Sequence, residues 1–109
     1  MPSYSKGDVV LVQVPFSDLS DAKVRPAVIV STAHKSHDVF VVPITSKTSA
    51  LLAGEFVMSD WRGVGLNVVS AVKRGLFTIH RDLILKTLGT ISPADDSELR
   101  QSLRRWLGL

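Results

Sequence analysis

Residues 23–46 read KVRPAVIVSTAHKSHDVFVVPITS. Two apolar runs, 27–31 and 39–44, lie on either side of a polar stretch, the first opening after Pro26. Each is short, rich in Val and Ile and bounded by turn-forming residues, the pattern of a largely buried strand. Upstream, residues 9–14 form a third such run, with Gly7-Asp8 before it and Pro15 after it. Weaker strand signals occupy 54–58 and 70–73, and 77–79 and 88–91 add two more. Short strands with little helix between them favour a mainly β chain, a small closed or half-closed barrel, over alternating βαβ units.

The pattern changes at the end of the chain. Ser92 suits an N-cap, Pro93 the first helical position, and Asp95 the place of a capping-box acid. Asp95, Asp96 and Glu98 crowd the front of this segment and Arg100, Arg104 and Arg105 its back, in the sense that complements a helix dipole. Leu99, Leu103, Trp106 and Leu107 fall on one helical face, and Gly108 can end the helix. Residues 80–86 read either as one or two helical turns or as an extended link. Residues 16–25 form the longest connection between strands, and loops of that length are often functional.

Composition sets the outer bounds. The chain has 109 residues, 45% apolar and 21% charged, which fits a single folded domain over 1–109. It contains no cysteine, so disulfides, thiolate metal sites and a cysteine nucleophile are excluded. The formal charge is +3. Residues 1–60 carry five basic and six acidic side chains, and residues 61–109 carry eight and four. An anionic partner is therefore permitted but not demanded. The strongest apolar runs are four residues long, against about 18 for a membrane helix, and MPSYSKGD at the start lacks a hydrophobic signal core. The expectation is a cytoplasmic chain with no membrane partner.

Several motif-like signals fail on their context. Gly63-Val64-Gly65 begins like a dinucleotide loop, but position 68 is Val68. His80-Arg81-Asp82 echoes a kinase catalytic loop in a chain too short for a kinase. His34 and His37 stand beside Asp38 without a clear further ligand, and neither a metal nor a cofactor is expected. Two places look more informative. Arg25, held extended by Pro26, puts a cation at the mouth of an apolar strand. Thr45-Ser46 ends another strand, just after Pro43, which cannot donate to a ladder and is expected to fray the sheet. Spacing alone leaves Arg25 open between a surface arginine and a phosphate ligand, and Thr45 open between an ordinary strand end and part of a phosphate clamp. Lys23, Lys47, Lys73 and Arg74 extend a positive track or are simply solvated. Trp61 either stacks on a base or packs on the sheet.

At these residues the sequence resembles the PemK/MazF family of toxin–antitoxin endoribonucleases. The resemblance is carried by Gly7-Asp8-Val9-Val10 and by Pro15-Phe16-Ser17-Asp18-Leu19-Ser20. It continues through Lys23-Val24-Arg25-Pro26-Ala27-Val28-Ile29-Val30 and Val42-Pro43-Ile44-Thr45-Ser46. Asp60-Trp61, Gly65-Leu66, Ser70-Ala71-Val72-Lys73, residues 77–85 and Leu88-Gly89-Thr90-Ile91-Ser92 complete it. Two places depart from the family pattern: Val69 stands where many members carry proline, and Lys73-Arg74-Gly75 where many carry an acid. The resemblance implies an SH3-like barrel with a C-terminal helix, a homodimer, and metal-independent cleavage of single-stranded RNA at short sequences. It implies 2′,3′-cyclic phosphate and 5′-OH ends, and a cognate antitoxin with an acidic tail. Carried over by motif, Arg25 and Thr45 are the catalytic candidates. Lys23, Ser46, Lys47, Lys73 and Arg74 are the RNA-binding ones. The alternative is a non-catalytic barrel, like the CcdB relatives, that poisons DNA gyrase or binds another protein.

Overall fold

The continuous apolar runs are explained by burial on both faces of one sheet. The computed structural model describes residues 4–14 and 23–109. Strand β1 (Asp8–Val14) pairs antiparallel with β2 (Lys23–Ile29), which pairs with β3 (Asp38–Thr45). Along β1, Val9 joins the core under the C-terminal helix, while Val10 and Val12 join a second core on the other face. The same division sends Val28 one way and Ala27 and Ile29 the other. Strands sandwiched in this way have no polar face, so period-2 alternation is lost and an unbroken Val/Ile run remains.

Strands β4 (Phe56–Val57), β5 (Ala71–Val72), β6 (Phe77–His80) and β7 (Ile84–Thr90) complete the sheet. Its path is β4-β5-β3-β2-β1-β7, with β6 on β3. The sheet is mainly antiparallel and is not closed, the half-closed form of the expected barrel. Pro43 does not fray β3, which runs on to Thr45. Instead β3 changes partner there: Asp38–Val41 pair with β6, and Ile44 and Thr45 with β5. A residue without an N–H fits that junction, and its carbonyl still accepts from Lys73 N at 2.9 Å.

Strand β2 begins four residues before the apolar run, because Lys23–Arg25 pair only with Val12–Val14 and stay exposed. Of the loop expected over 16–25, residues 16–22 lie outside the described residues. Strand β7 likewise starts earlier than its apolar run: Ile84 is buried, and Leu85, Lys86 and Thr87 after it are exposed. Between β6 and β7 the ambiguous segment is both things at once, a 3-10 turn over Arg81–Leu83 and then strand. His80 Nδ1 caps that turn by accepting from Asp82 N.

The helix α1 (Pro93–Leu107) begins and ends where its caps put it. Ser92 Oγ accepts from Asp95 N, and Gly108 closes it in the left-handed region at φ 71°. The capping-box reading of Asp95 is incomplete: its carboxylate turns away from Ser92 to the 59–60 backbone. Nor do all four apolar residues share the core. Leu99 is buried and Leu103 and Trp106 pack beside it, but Leu107 is half exposed. The buried stripe also includes Asp95 and Ser102, which centres it on the Trp106 side. Leu107, about 80° round from Leu99 at 100° per residue, falls off its edge. Ser102 Oγ and Trp106 Nε1 donate to the carbonyls of Gly54 and Ala53, tying the helix to the approach to β4.

Candidate functional site

The register carries the strand ends to one place. Ala27 faces Pro43 in the last β2–β3 pair, and Arg25 and Thr45 each stand two residues beyond it, toward the same end of the sheet. Both line a cleft of about 530 Å³, together with Ser46, Lys47, Lys73 and Arg74. Thus six of the seven residues singled out in the sequence meet at one site. Lys23, two residues out from Arg25 along β2, is exposed and is not part of this lining.

The bases converge from separate elements. Arg25 projects from β2, Lys47 follows β3, and Lys73 and Arg74 follow β5. Among the described residues lining the cleft there is no Asp or Glu, and their summed charge is positive. Thr45 Oγ1 accepts a hydrogen bond from Lys47 N at 3.1 Å. A hydroxyl that spends one lone pair on the backbone retains its own hydrogen as a donor. The floor is apolar, including Leu11, Pro26, Pro43, Ile44 and Leu88. Cations and hydroxyls above an apolar floor suit a ligand with anionic groups and flat, weakly polar surfaces. Among the described residues no group of three or more His, Asp or Glu is placed to hold a metal ion.

Glu55, which sequence reading did not single out, organises one wall. Its Oε1 accepts from Leu52 N at 2.6 Å and its Oε2 from Arg74 N at 2.8 Å. The Leu52 hydrogen bond is the main reason its carboxyl titrates below the usual range; the Arg74 N–H and the charges of Lys73 and Arg74 act in the same sense against partial burial. An acid therefore does reach the basic corner at Lys73-Arg74, but from the residue just before β4. No local pattern marks it, because its partners are backbone groups 3 and 19 residues away. The segment around Leu66, Asn67 and Val68 was also missed, and it forms part of the lining. Trp61 packs against the core with Arg62 over its ring at 5.0 Å, and takes no part in the cleft.

Comparison with known proteins is consistent across the chain. Residues 5–107 match the family described as PemK-like, MazF-like toxin of type II toxin–antitoxin system. Among solved structures, MazF from Deinococcus radiodurans superposes with a TM-score of 0.79 at 18% identity, covering 100% of both chains. An endoribonuclease in complex with its cognate antitoxin, from Mycobacterial species, gives 0.75 at 21% identity, covering 98% of this chain and 97% of that one. The Mycobacterium tuberculosis toxin MazF-mt6 gives 0.72 at 22%, covering 94% and 97%. At these identities the likeness concerns the fold. No curated protein matches the sequence.

Proposed function

The chain belongs to the family of PemK-like, MazF-like toxins of type II toxin–antitoxin systems, and from that premise we propose that it is an endoribonuclease that cuts single-stranded RNA and is neutralised by a cognate antitoxin. The observation that carries the reading is the shared cleft of Arg25, Thr45, Ser46, Lys47, Lys73 and Arg74. Family membership supports it, as do structural relatives named as endoribonucleases, one of them bound to its antitoxin.

The chemistry proposed is attack of a ribose 2′-OH on the adjacent phosphate. The 2′ oxygen–phosphorus bond forms and the bond to the 5′ oxygen breaks. The 2′-OH loses its proton, and the departing oxygen gains one. The products are a 2′,3′-cyclic phosphate and a 5′-OH. Charge builds on the non-bridging oxygens on the way. Arg25 meets it with a planar fork of donors and Thr45 with its hydroxyl. Guanidinium groups hold their protons at neutral pH, so electrostatic stabilisation is favoured over proton donation by Arg25. Among the described residues no His, Asp or Glu belongs to the cleft lining, and the acceptor of the 2′-OH proton is not assigned among them. Ser46, Lys47, Lys73 and Arg74 hold neighbouring phosphates. Lys23, exposed beyond Arg25, extends that track along the strand.

The test is cleavage of single-stranded RNA by the purified protein in EDTA, with analysis of the product ends. Activity should persist and the ends should be cyclic phosphate and 5′-OH. Loss on chelation with recovery on adding a divalent ion would overturn the metal-independent mechanism, and 5′-phosphate ends would overturn 2′-OH attack.

A further inference from the structure

From Ser59 to Ser70 the chain forms no strand or helix, yet it is pinned in three places. At its root the buried Asp95 carboxylate accepts from Ser59 N, Ser59 Oγ and Asp60 N at 2.9, 3.0 and 3.1 Å. In the middle Val64 is buried, and Gly65 turns at φ 93° against β7, where a Cβ would lie 3.1 Å from the Leu88 carbonyl. At the far end Ser70 is buried and its carbonyl accepts from Met58 N at 2.9 Å. Between the last two pins, Leu66, Asn67 and Val68 lie along the cleft. Asn67, the only asparagine in the chain, is exposed, and no hydrogen bond of its amide occurs among the described residues.

The other described residues of the lining have little means of telling one base from another. Arg25, Lys47, Lys73 and Arg74 suit phosphates, which position a nucleic acid without carrying its sequence. Thr45, Ser46 and Ser70 offer single hydroxyls, and the remaining side chains are apolar. Among the described residues of the lining only the Asn67 side chain holds a donor and an acceptor fixed in one plane, the arrangement that matches adjacent acceptor and donor groups on a base edge. Unstacked single-stranded bases expose such edges and lay their faces on aromatic rings. Phe77, more than a third exposed, is the aromatic ring in this lining.

We propose that Asn67 is a specificity-determining residue, reading one base of the RNA through paired hydrogen bonds while the basic residues hold the phosphates. The proposal rests on the RNA-cleaving reading above. It is tested with the full-length protein on single-stranded RNAs carrying a randomised segment, the cut sites being mapped by sequencing for wild type, Asn67→Ala, Asn67→Asp and Arg25→Ala. The wild-type preference at one nucleotide position should fall about five- to 150-fold in Asn67→Ala, as expected for loss of one bidentate pair. Preferences at the other positions should remain. Asn67→Asp, which loses the donor, should change the preferred base at that same position. Cleavage by wild type with an unaltered profile in Asn67→Ala, or with all sequences slowed equally, would overturn the proposal and leave the RNA-cleaving reading standing. RNA left uncut by the wild type, or cut equally by Arg25→Ala, would overturn that reading and this proposal with it.

Discussion

Arg25 and Thr45 are separated by 20 positions in sequence and line one cleft because their antiparallel strands bring both to the same end of the sheet, two residues beyond the last β2–β3 pair. Their side chains differ in what a substitution removes. Truncating Arg25 deletes a cation and its fork, whereas truncating Thr45 deletes one hydroxyl already tied to Lys47 N. Each is proposed to supply a fixed donor to the developing charge, so Arg25→Ala and Thr45→Ala should each slow RNA cleavage by about 10²–10³-fold. Circular dichroism should remain native for Arg25→Ala, since that side chain is exposed. Arg25→Lys should fail as well, because an ammonium group cannot make the planar bidentate contact. Near-normal turnover in Arg25→Ala would remove it from the mechanism.

Asp95 belongs to the helix but acts on the arm that follows β4. It is 1% exposed and all three hydrogen bonds to its carboxylate come from across the chain, from residues 59 and 60. Asp95→Ala would strand two backbone N–H groups and a hydroxyl in a partly buried place. The expected loss is about 2–3 kcal/mol of unfolding free energy, the magnitude for hydrogen bonds to a charged group, measured by urea denaturation. The helix itself should persist, since Ser92, Pro93 and Gly108 still cap it. A change within a few tenths of a kcal/mol would show that the arm is held without Asp95. Gly54 shows the same dependence between elements from the other side: at φ 86° it leaves room for the Trp106 indole, which a Cβ would meet at 2.5 Å.

At the scale of the whole molecule, the charge of the cleft is not the charge of either half of the sequence. Of the four cations among its described lining residues, two come from residues 1–60, the half with net negative charge, and two from residues 61–109. If each neutralises one phosphate, log K for an uncleavable single-stranded RNA should fall against log salt with a slope of about −3. A slope near zero would place RNA elsewhere or deny binding. The proposed homodimer is also a property at this scale. Leu52, Leu107 and Leu109 are 66%, 50% and 86% exposed, apolar area that a partner copy can cover. Sedimentation at micromolar concentration should report a dimer, and a monomer alone would count against it.

The sequence by itself determined the parts that depend on local chemistry. Val/Ile runs between turn residues specify β1, β2 and β3, because an apolar strand must be buried wherever it ends up. Ser92, Pro93 and Gly108 specify α1 to the residue, because caps act within one turn. Family-like motifs marked Arg25 and Thr45 before any register was known. Tertiary structure decided the rest. The polar start of β2 is strand only because β1 lies beside it, and Leu107 leaves the core because Asp95 and Ser102 shift the buried stripe. Lys23 remains outside the cleft although it is only two positions from Arg25. Glu55 and Asn67 had no motif to announce them: one answers the Arg74 N–H that β5 brings to it as well as its neighbour Leu52 N, and the other gains its place from an arm pinned to a helix and a strand distant in sequence. Such roles arise from through-space contacts, which local pattern does not encode.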